Sequence, residues 1–111
     1  MTTPNEESPT MRQYHRAKAE CPPGTILFFR IGDFYEMFEA DALEAAPLLG
    51  LTLTRRNGVP MCGVPYHAAE RYASQLIRAG KPVALCDQME DPRNARGIPR
   101  REITAILTEE P

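Results

Sequence analysis

The run Thr25-Ile-Leu-Phe-Phe-Arg-Ile31 leaves a chain of 111 residues little freedom. Aromatic and β-branched residues dominate it, Pro22-Pro23-Gly24 precedes it and Gly32 follows it, so it reads as a central strand of a sheet. The remaining segments supply its neighbours. Thr10 and Gln13 form a capping-box pattern that opens a helix through Met11, Tyr14 and Ala17, and that helix must stop before Cys21-Pro22-Pro23. From Tyr35 or Glu36 the period becomes helical, with Phe38, Ala42, Ala45 and Leu49 on one face and Pro47 and Gly50 ending or kinking it. Leu51 to Thr54 alternates like a strand, Arg55-Arg56-Asn57-Gly58 supplies a tight hairpin turn, and Val59 to Val64 returns. Ala69, Tyr72, Ala73, Leu76 and Ile77 mark a further helix, closed by Gly80 and Pro82. Val83 to Met89 and Glu102 to Thr108 read as strands. The expected fold is α/β (α+β), a mixed sheet of about five to six strands flanked by about three helices. Residues 1–9 read as a disordered arm, 10–108 as the folded domain and 109–111 as its end.

Hydrophobic residues make up 42% of the chain and charged ones 25%, enough for a core without disulfides or a metal. Cys21, Cys62 and Cys86 are odd in number and lack Cys-x-x-Cys spacing, and only His15 and His67 could join them. They read as small apolar residues in or near strands. No apolar stretch approaches the roughly 18–20 residues of a membrane span, and the first residues resemble no leader peptide. The expectation is a cytoplasmic, soluble chain with no membrane partner. Thirteen basic and fifteen acidic residues give a net charge of −2, which disfavours a clamp on nucleic acid spread over the whole surface. The charge is unevenly placed. Five acids and no base lie between Asp33 and Glu44, whereas four arginines and no acid lie between Arg93 and Arg101.

Three groups of residues could carry chemistry. Gly32-Asp33-Phe34-Tyr35-Glu36 places two aromatics in a short connection, and both cannot easily turn inward. An exposed ring on a rigid rim can act as a stacking wedge between bases, although a Phe near a helix start can equally staple to the core. Asp33 and Glu36 can equally be first-turn acids favoured by a helix dipole. The second group comprises Asp33, Glu36, Asp87, Glu90 and Asp91, which could ligate magnesium if their strand ends adjoin. The third comprises Arg55, Arg56, Arg93, Arg96, Arg100 and Arg101, whose guanidinium arms could reach phosphates or simply face solvent. Neither a Gly-rich nucleotide cradle nor a nucleophile with its base is present in the sequence.

Taken in order, three blocks carry a resemblance. They are Leu27-Phe-Phe-Arg-Ile-Gly-Asp-Phe-Tyr-Glu-Met-Phe38, Val59-Pro-Met-Cys-Gly-Val-Pro-Tyr-His67 and Ala84-Leu-Cys-Asp-Gln-Met-Glu-Asp-Pro92. Together they resemble the N-terminal mismatch-recognition domain of the MutS family of DNA mismatch repair proteins, from about Thr10 to Thr108. The family's Phe-x-Glu motif falls on Phe34-Tyr35-Glu36. The resemblance implies that Phe34 enters the minor groove and stacks on a mispaired base while Glu36 hydrogen-bonds that base. It also implies that Ile31, Gly32 and Asp33 shape the approach, that Pro60 and Met61 pack beside the wedge, and that Arg55, Arg56, Arg100 and Arg101 hold the backbone. Tyr66 and His67 read as helix-start and packing residues.

The partner so implied is double-stranded DNA with mismatches or small insertion loops. Connector, lever, clamp and ATPase domains, or a separate ATPase chain, would complete a dimer. ATP and Mg2+ would bind in those parts, leaving this chain a noncatalytic module without a cofactor or metal of its own, at the nucleoid. After Ile106-Leu107-Thr108 the chain reads Glu109-Glu110-Pro111 where the family commonly continues Pro-Gly-Thr, which leaves two expectations open, a separately encoded module and a piece of a longer protein. Two other readings stand beside this one: a metal-dependent nuclease using Asp33, Glu36, Asp87 and Asp91, and a protein-interaction module that keeps the fold without binding DNA.

Overall fold

The computed structural model describes residues 7–90 and 97–109. Helix α1 spans Pro9–Glu20, strands β1 and β2 span Ile26–Ile31 and Phe34–Phe38, and helix α2 spans Glu39–Leu49. Strands β3 and β4 follow at Thr54–Arg56 and Val59–Pro65, then helix α3 at Ala69–Arg78 and strands β5 and β6 at Val83–Gln88 and Arg101–Leu107. The strands form one six-stranded sheet in the order β3-β4-β2-β1-β5-β6. Every junction is antiparallel except that of β1 with β5. This is the mixed α/β architecture expected from the sequence. Among the described residues no helix is long and apolar enough to cross a membrane.

Alternation along β1 explains its unbroken apolar run. Ile26 and Phe28 pack with Tyr35, Met37, Val64 and Val83 beneath α2 and α3. Leu27 and Phe29 point the other way, packing with Phe38, Ala84 and Cys86 beneath Met11, Tyr14 and Ala17 of α1. With helices on both faces, β1 has no polar side to show. Each of these large side chains contributes about 1.5–3 kcal/mol by leaving water. Asp41 ties α2 to this core: its carboxylate accepts from the Leu27 amide at 2.9 Å and from Lys18 Nζ at 2.9 Å.

Four expectations need correction. Ser8, not Thr10, caps α1, its Oγ accepting from the Met11 amide at 3.1 Å, and Pro9 opens the helix. Gln13 closes no capping box because its amide is drawn away, donating to the Pro99 carbonyl at 2.9 Å and accepting from Arg101. Order therefore begins by Ser8, inside the arm expected to be disordered, whose residues 1–6 lie outside the described ones. The helix expected from Tyr35 or Glu36 starts only at Glu39, and the residues before it form β2. Pairing with β1 on one edge and β4 on the other outweighs the helical spacing there, and Glu39, at φ 56°, marks the abrupt change of backbone. Leu51 to Leu53 does not pair as a strand, because Gly50 closes α2 in the left-handed conformation and the Leu51 amide is bound to the Ala46 carbonyl. Pro47 neither stops nor shortens α2, which runs two residues past it.

The hairpin loop is as expected. Asn57 and Gly58 both have positive φ, 51° and 84°, as a two-residue turn twisted to match its strands requires.

Candidate nucleic-acid interface

Strands β1 and β2 are joined by the two residues Gly32 and Asp33, with Ile31 opposite Phe34. Gly32 sits at φ 58° in the first central position, a conformation glycine adopts without a Cβ clash. The turn fixes which side chains share a face. Register places Phe34, Glu36 and Phe38 of β2 beside Pro65, Gly63 and Met61 of β4, and Met61 beside Thr54 of β3. Successive residues alternate, so Arg56 and Val59 join the same face, which is the one that α1 covers. Helix α1 is tied to this face at the Phe38 end, where the Tyr14 hydroxyl donates to the Phe38 carbonyl at 3.2 Å. Phe34 lies four residues further along, roughly 13 Å away. Its ring is 46% exposed, whereas Phe28, Phe29 and Phe38 are fully buried.

Glu36 lies between the exposed ring and the covered core, and only 8% of it reaches solvent. Burial drives its carboxyl pKa above the ordinary carboxylate value, and the positive charges of Arg56 and Arg101 only partly offset this. Arg56 Nε donates to Glu36 Oε1 at 3.2 Å. Gly63 is the cross-strand neighbour of Glu36. A Cβ there would stand 3.6 Å from Glu36 Cγ and 3.8 Å from Phe34 Cδ2, so its absence keeps the strip beside both side chains low. A hollow of about 210 Å³ opens nearby, lined by Ile31, Arg56, Asn57 and Arg101 with the first turn of α1.

The other residues singled out from sequence divide. Ile31 packs beside Phe34, and Met61 packs onto the cluster beneath α1. Pro60 pairs with Arg55, and alternation turns both to the opposite face. Arg55 folds back, its guanidinium donating to the Gly58 carbonyl at 2.6 Å. Asp33 is exposed in the turn, and its carbonyl accepts from the Tyr66 amide at 2.8 Å. Arg100 is exposed and pairs with Glu102 at 3.3 Å. Arg101 is half-buried: it lies 4.7 Å over the Phe29 ring, donating to the Arg30 carbonyl at 2.7 Å and to Gln13. Burial lowers its pKa. Of the arginines, then, Arg56 and Arg101 flank Glu36, while Arg93 and Arg96 lie outside the described residues.

The carboxylates do not converge. Asp87 accepts from the Tyr35 and Thr104 hydroxyls on the face beneath α2 and α3, opposite to the face of Glu36. Glu90 accepts from the Arg100 amide, and Asp91 lies outside the described residues. Among those described, no three His, Cys, Asp or Glu side chains could share an ion. The cysteines are free, with Cys62 and Cys86 buried in strands, as expected. One participant escaped the sequence reading, Gly63, although it carried a signal, a glycine inside a strand. Arg101 was singled out as a backbone contact, but its half-buried setting depends on the distant Gln13 and Arg30 and had no signal.

Comparison with known proteins adds an independent line. The family model for MutS domain I matches residues 8–110. The chain is 52% identical over 109 residues to the DNA mismatch repair protein MutS of Syntrophobacter fumaroxidans, covering 94% of this chain and 12% of that protein. It is 53% identical over 105 residues to that of Myxococcus xanthus, covering 91% and 12%, and 51% identical over 106 residues to that of Geobacillus thermodenitrificans, again covering 91% and 12%. The chain spans about an eighth of the length of these relatives. A match over nearly the whole chain, on a fold that presents the Phe34 hairpin described above, identifies it as a member of the MutS domain I family.

Proposed function

We propose that this chain recognises mispaired or unpaired bases in duplex DNA as the reading part of mismatch repair. One observation carries the reading: Phe34 is the single exposed phenylalanine, held at the end of a strand that is otherwise buried. A ring fixed this way enters a base step only where the duplex yields. A mispaired base has already lost part of its stacking and pairing, so kinking costs less there than at a paired step. Phe34 enters from the minor groove and stacks on that base.

Glu36 supplies a second criterion. A carboxylate brought among phosphates is repelled unless it finds a donor on a base or takes up a proton. Its burial beside Phe34 favours both outcomes over remaining a solvated anion, so normal duplex is penalised more than mismatched duplex. Ile31 and Gly32 set the wedge, Met61 anchors the far, Phe38 end of the same strand beneath α1, and Arg56 is the arginine best placed for a phosphate. Asp33 and Arg100 play supporting parts and Arg101 mainly holds the fold, whereas Pro60 and Arg55, on the opposite face, act only through the hairpin. ATP and Mg2+ chemistry belongs to other domains or a partner ATPase chain, in a dimer acting at the nucleoid.

A duplex carrying 2-aminopurine at an unpaired position tests the wedge directly. Stacking by Phe34 changes the fluorescence of that base on binding, and Phe34→Ala abolishes the change. An equal change with both proteins would show that another group stacks there, or none.

A further inference from the structure

Arg56 sits on the last residue of β3, immediately before the Asn57-Gly58 turn, with its side chain 40% exposed. Its guanidinium reaches inward to a carboxylate that is 10% exposed. The two partners are therefore unequal: Glu36 has been desolvated by the fold, and Arg56 keeps access to water. Among the described residues two cations face Glu36, Arg56 from β3 and Arg101 from β6. Arg101 is already committed to the Arg30 carbonyl and Gln13. Among the described residues only Arg56 is hydrogen-bonded to the Glu36 carboxylate.

We propose that Arg56 is a positioning residue for discrimination, a latch that holds the Glu36 carboxylate in the DNA-free domain and hands it over when a backbone phosphate takes the guanidinium. The inference rests on the reading of Glu36 given above. A phosphate and a carboxylate compete for the same planar fork of donors. When Arg56 turns to phosphate, Glu36 is left buried beside an anionic duplex without its hydrogen-bonded cation, Arg101 being held by the Arg30 carbonyl and Gln13. A mispaired base that offers a donor satisfies it, and a paired base, with its edge engaged, does not. Capture of the backbone is thereby coupled to reading of the base, although the two contacts come from different strands. An arginine that only held phosphate would strengthen binding to every duplex alike.

Two measurements on Arg56→Ala, Arg56→Lys, Glu36→Gln and Arg56→Ala/Glu36→Gln test this. The first needs no DNA: NMR titration of the Glu36 carboxyl. The latch requires that Arg56→Ala move this titration to higher pH and that Arg56→Lys restore most of it. An unchanged titration in Arg56→Ala would overturn the proposal.

The second is the ratio of affinities for a mismatched and a fully paired duplex. Arg56→Ala should lower the ratio by about fivefold, the upper end for a half-exposed charge pair. The same substitution should leave the ratio unchanged in the Glu36→Gln background, the non-additivity expected of coupled residues. Equal loss of affinity for both duplexes in Arg56→Ala, with the wild-type ratio kept, would reduce Arg56 to a phosphate contact. Phe34→Ala separates the two levels. A wild-type preference lost in Phe34→Ala but untouched by Arg56→Ala overturns the latch alone, and absence of any wild-type preference overturns the base reading and the latch with it.

Discussion

Glu36 is a residue whose placement works against stability. Burial raises its folded-state pKa above the unfolded value, so the folded chain binds a proton more tightly than the unfolded one. Between those two values the folded state holds more protons, and stability falls as pH rises. The cost is fully present above the folded pKa and absent below the unfolded one. Glu36→Gln should therefore melt at a higher temperature than wild type near neutral pH, with the gap closing at about pH 4, where the ordinary carboxylate takes up its proton. Thermal melts across that range decide it, and a mutant less stable at every pH would show that the Arg56 pair outweighs desolvation. Phe34 differs, since its half-exposed ring is available to a ligand without being needed by the core.

At the scale of elements, α1 is pinned to the start of α2 by His15. Its Nδ1 meets Glu7 at 2.6 Å and its Nε2 meets Glu39 at 2.9 Å, an arrangement that uses both nitrogens as donors and so calls for the imidazolium. Burial pulls the His15 pKa down, but the hydrogen bonds and charges of Glu39 and Glu7 outweigh it and leave the pKa raised. The pin is fully present below the unfolded histidine value of about 6.5 and is lost as pH rises through the higher folded value. The melting difference between wild type and His15→Gln should be largest in mildly acidic buffer and shrink on the alkaline side; a constant difference would assign His15 a packing role only. Most elements were legible in the sequence because their signals are local: the apolar run of β1, the Asn57-Gly58 turn, the spacing of Ala69 to Ile77. Strand β2 was not. Tyr35 and Met37 lie beneath α2 and α3 while Phe38 lies beneath α1, and burial of its two faces erases the period of two that marks a half-buried strand. Glu36 then read as an acid in a helix's first turn, and its true setting emerged only from pairing with β4. The wedge candidate was legible because two aromatics beside Gly32 could not both turn in, whereas the separation of Arg55 from Arg56 awaited the register of the hairpin.

For the whole molecule, a net charge of −2 and a division of arginines between two faces leave few cations to meet a duplex at once. Binding should be weak and modestly salt-dependent, with log K against log salt falling at a slope of roughly −2 to −3, the release expected for about three phosphates. A slope steeper than about −6 would require a broad basic surface that the described residues do not provide. The central claim is that recognition rests on one exposed ring. Fluorescence anisotropy with a duplex carrying a G·T pair or one unpaired base, against its fully paired control, tests it using wild type and Phe34→Ala. Wild type should prefer the mismatched duplex, and Phe34→Ala should lose that preference by about tenfold, within the range for base–aromatic stacking, while melting at nearly the wild-type temperature. A preference that survives in Phe34→Ala, or a mutant that unfolds, would contradict the account.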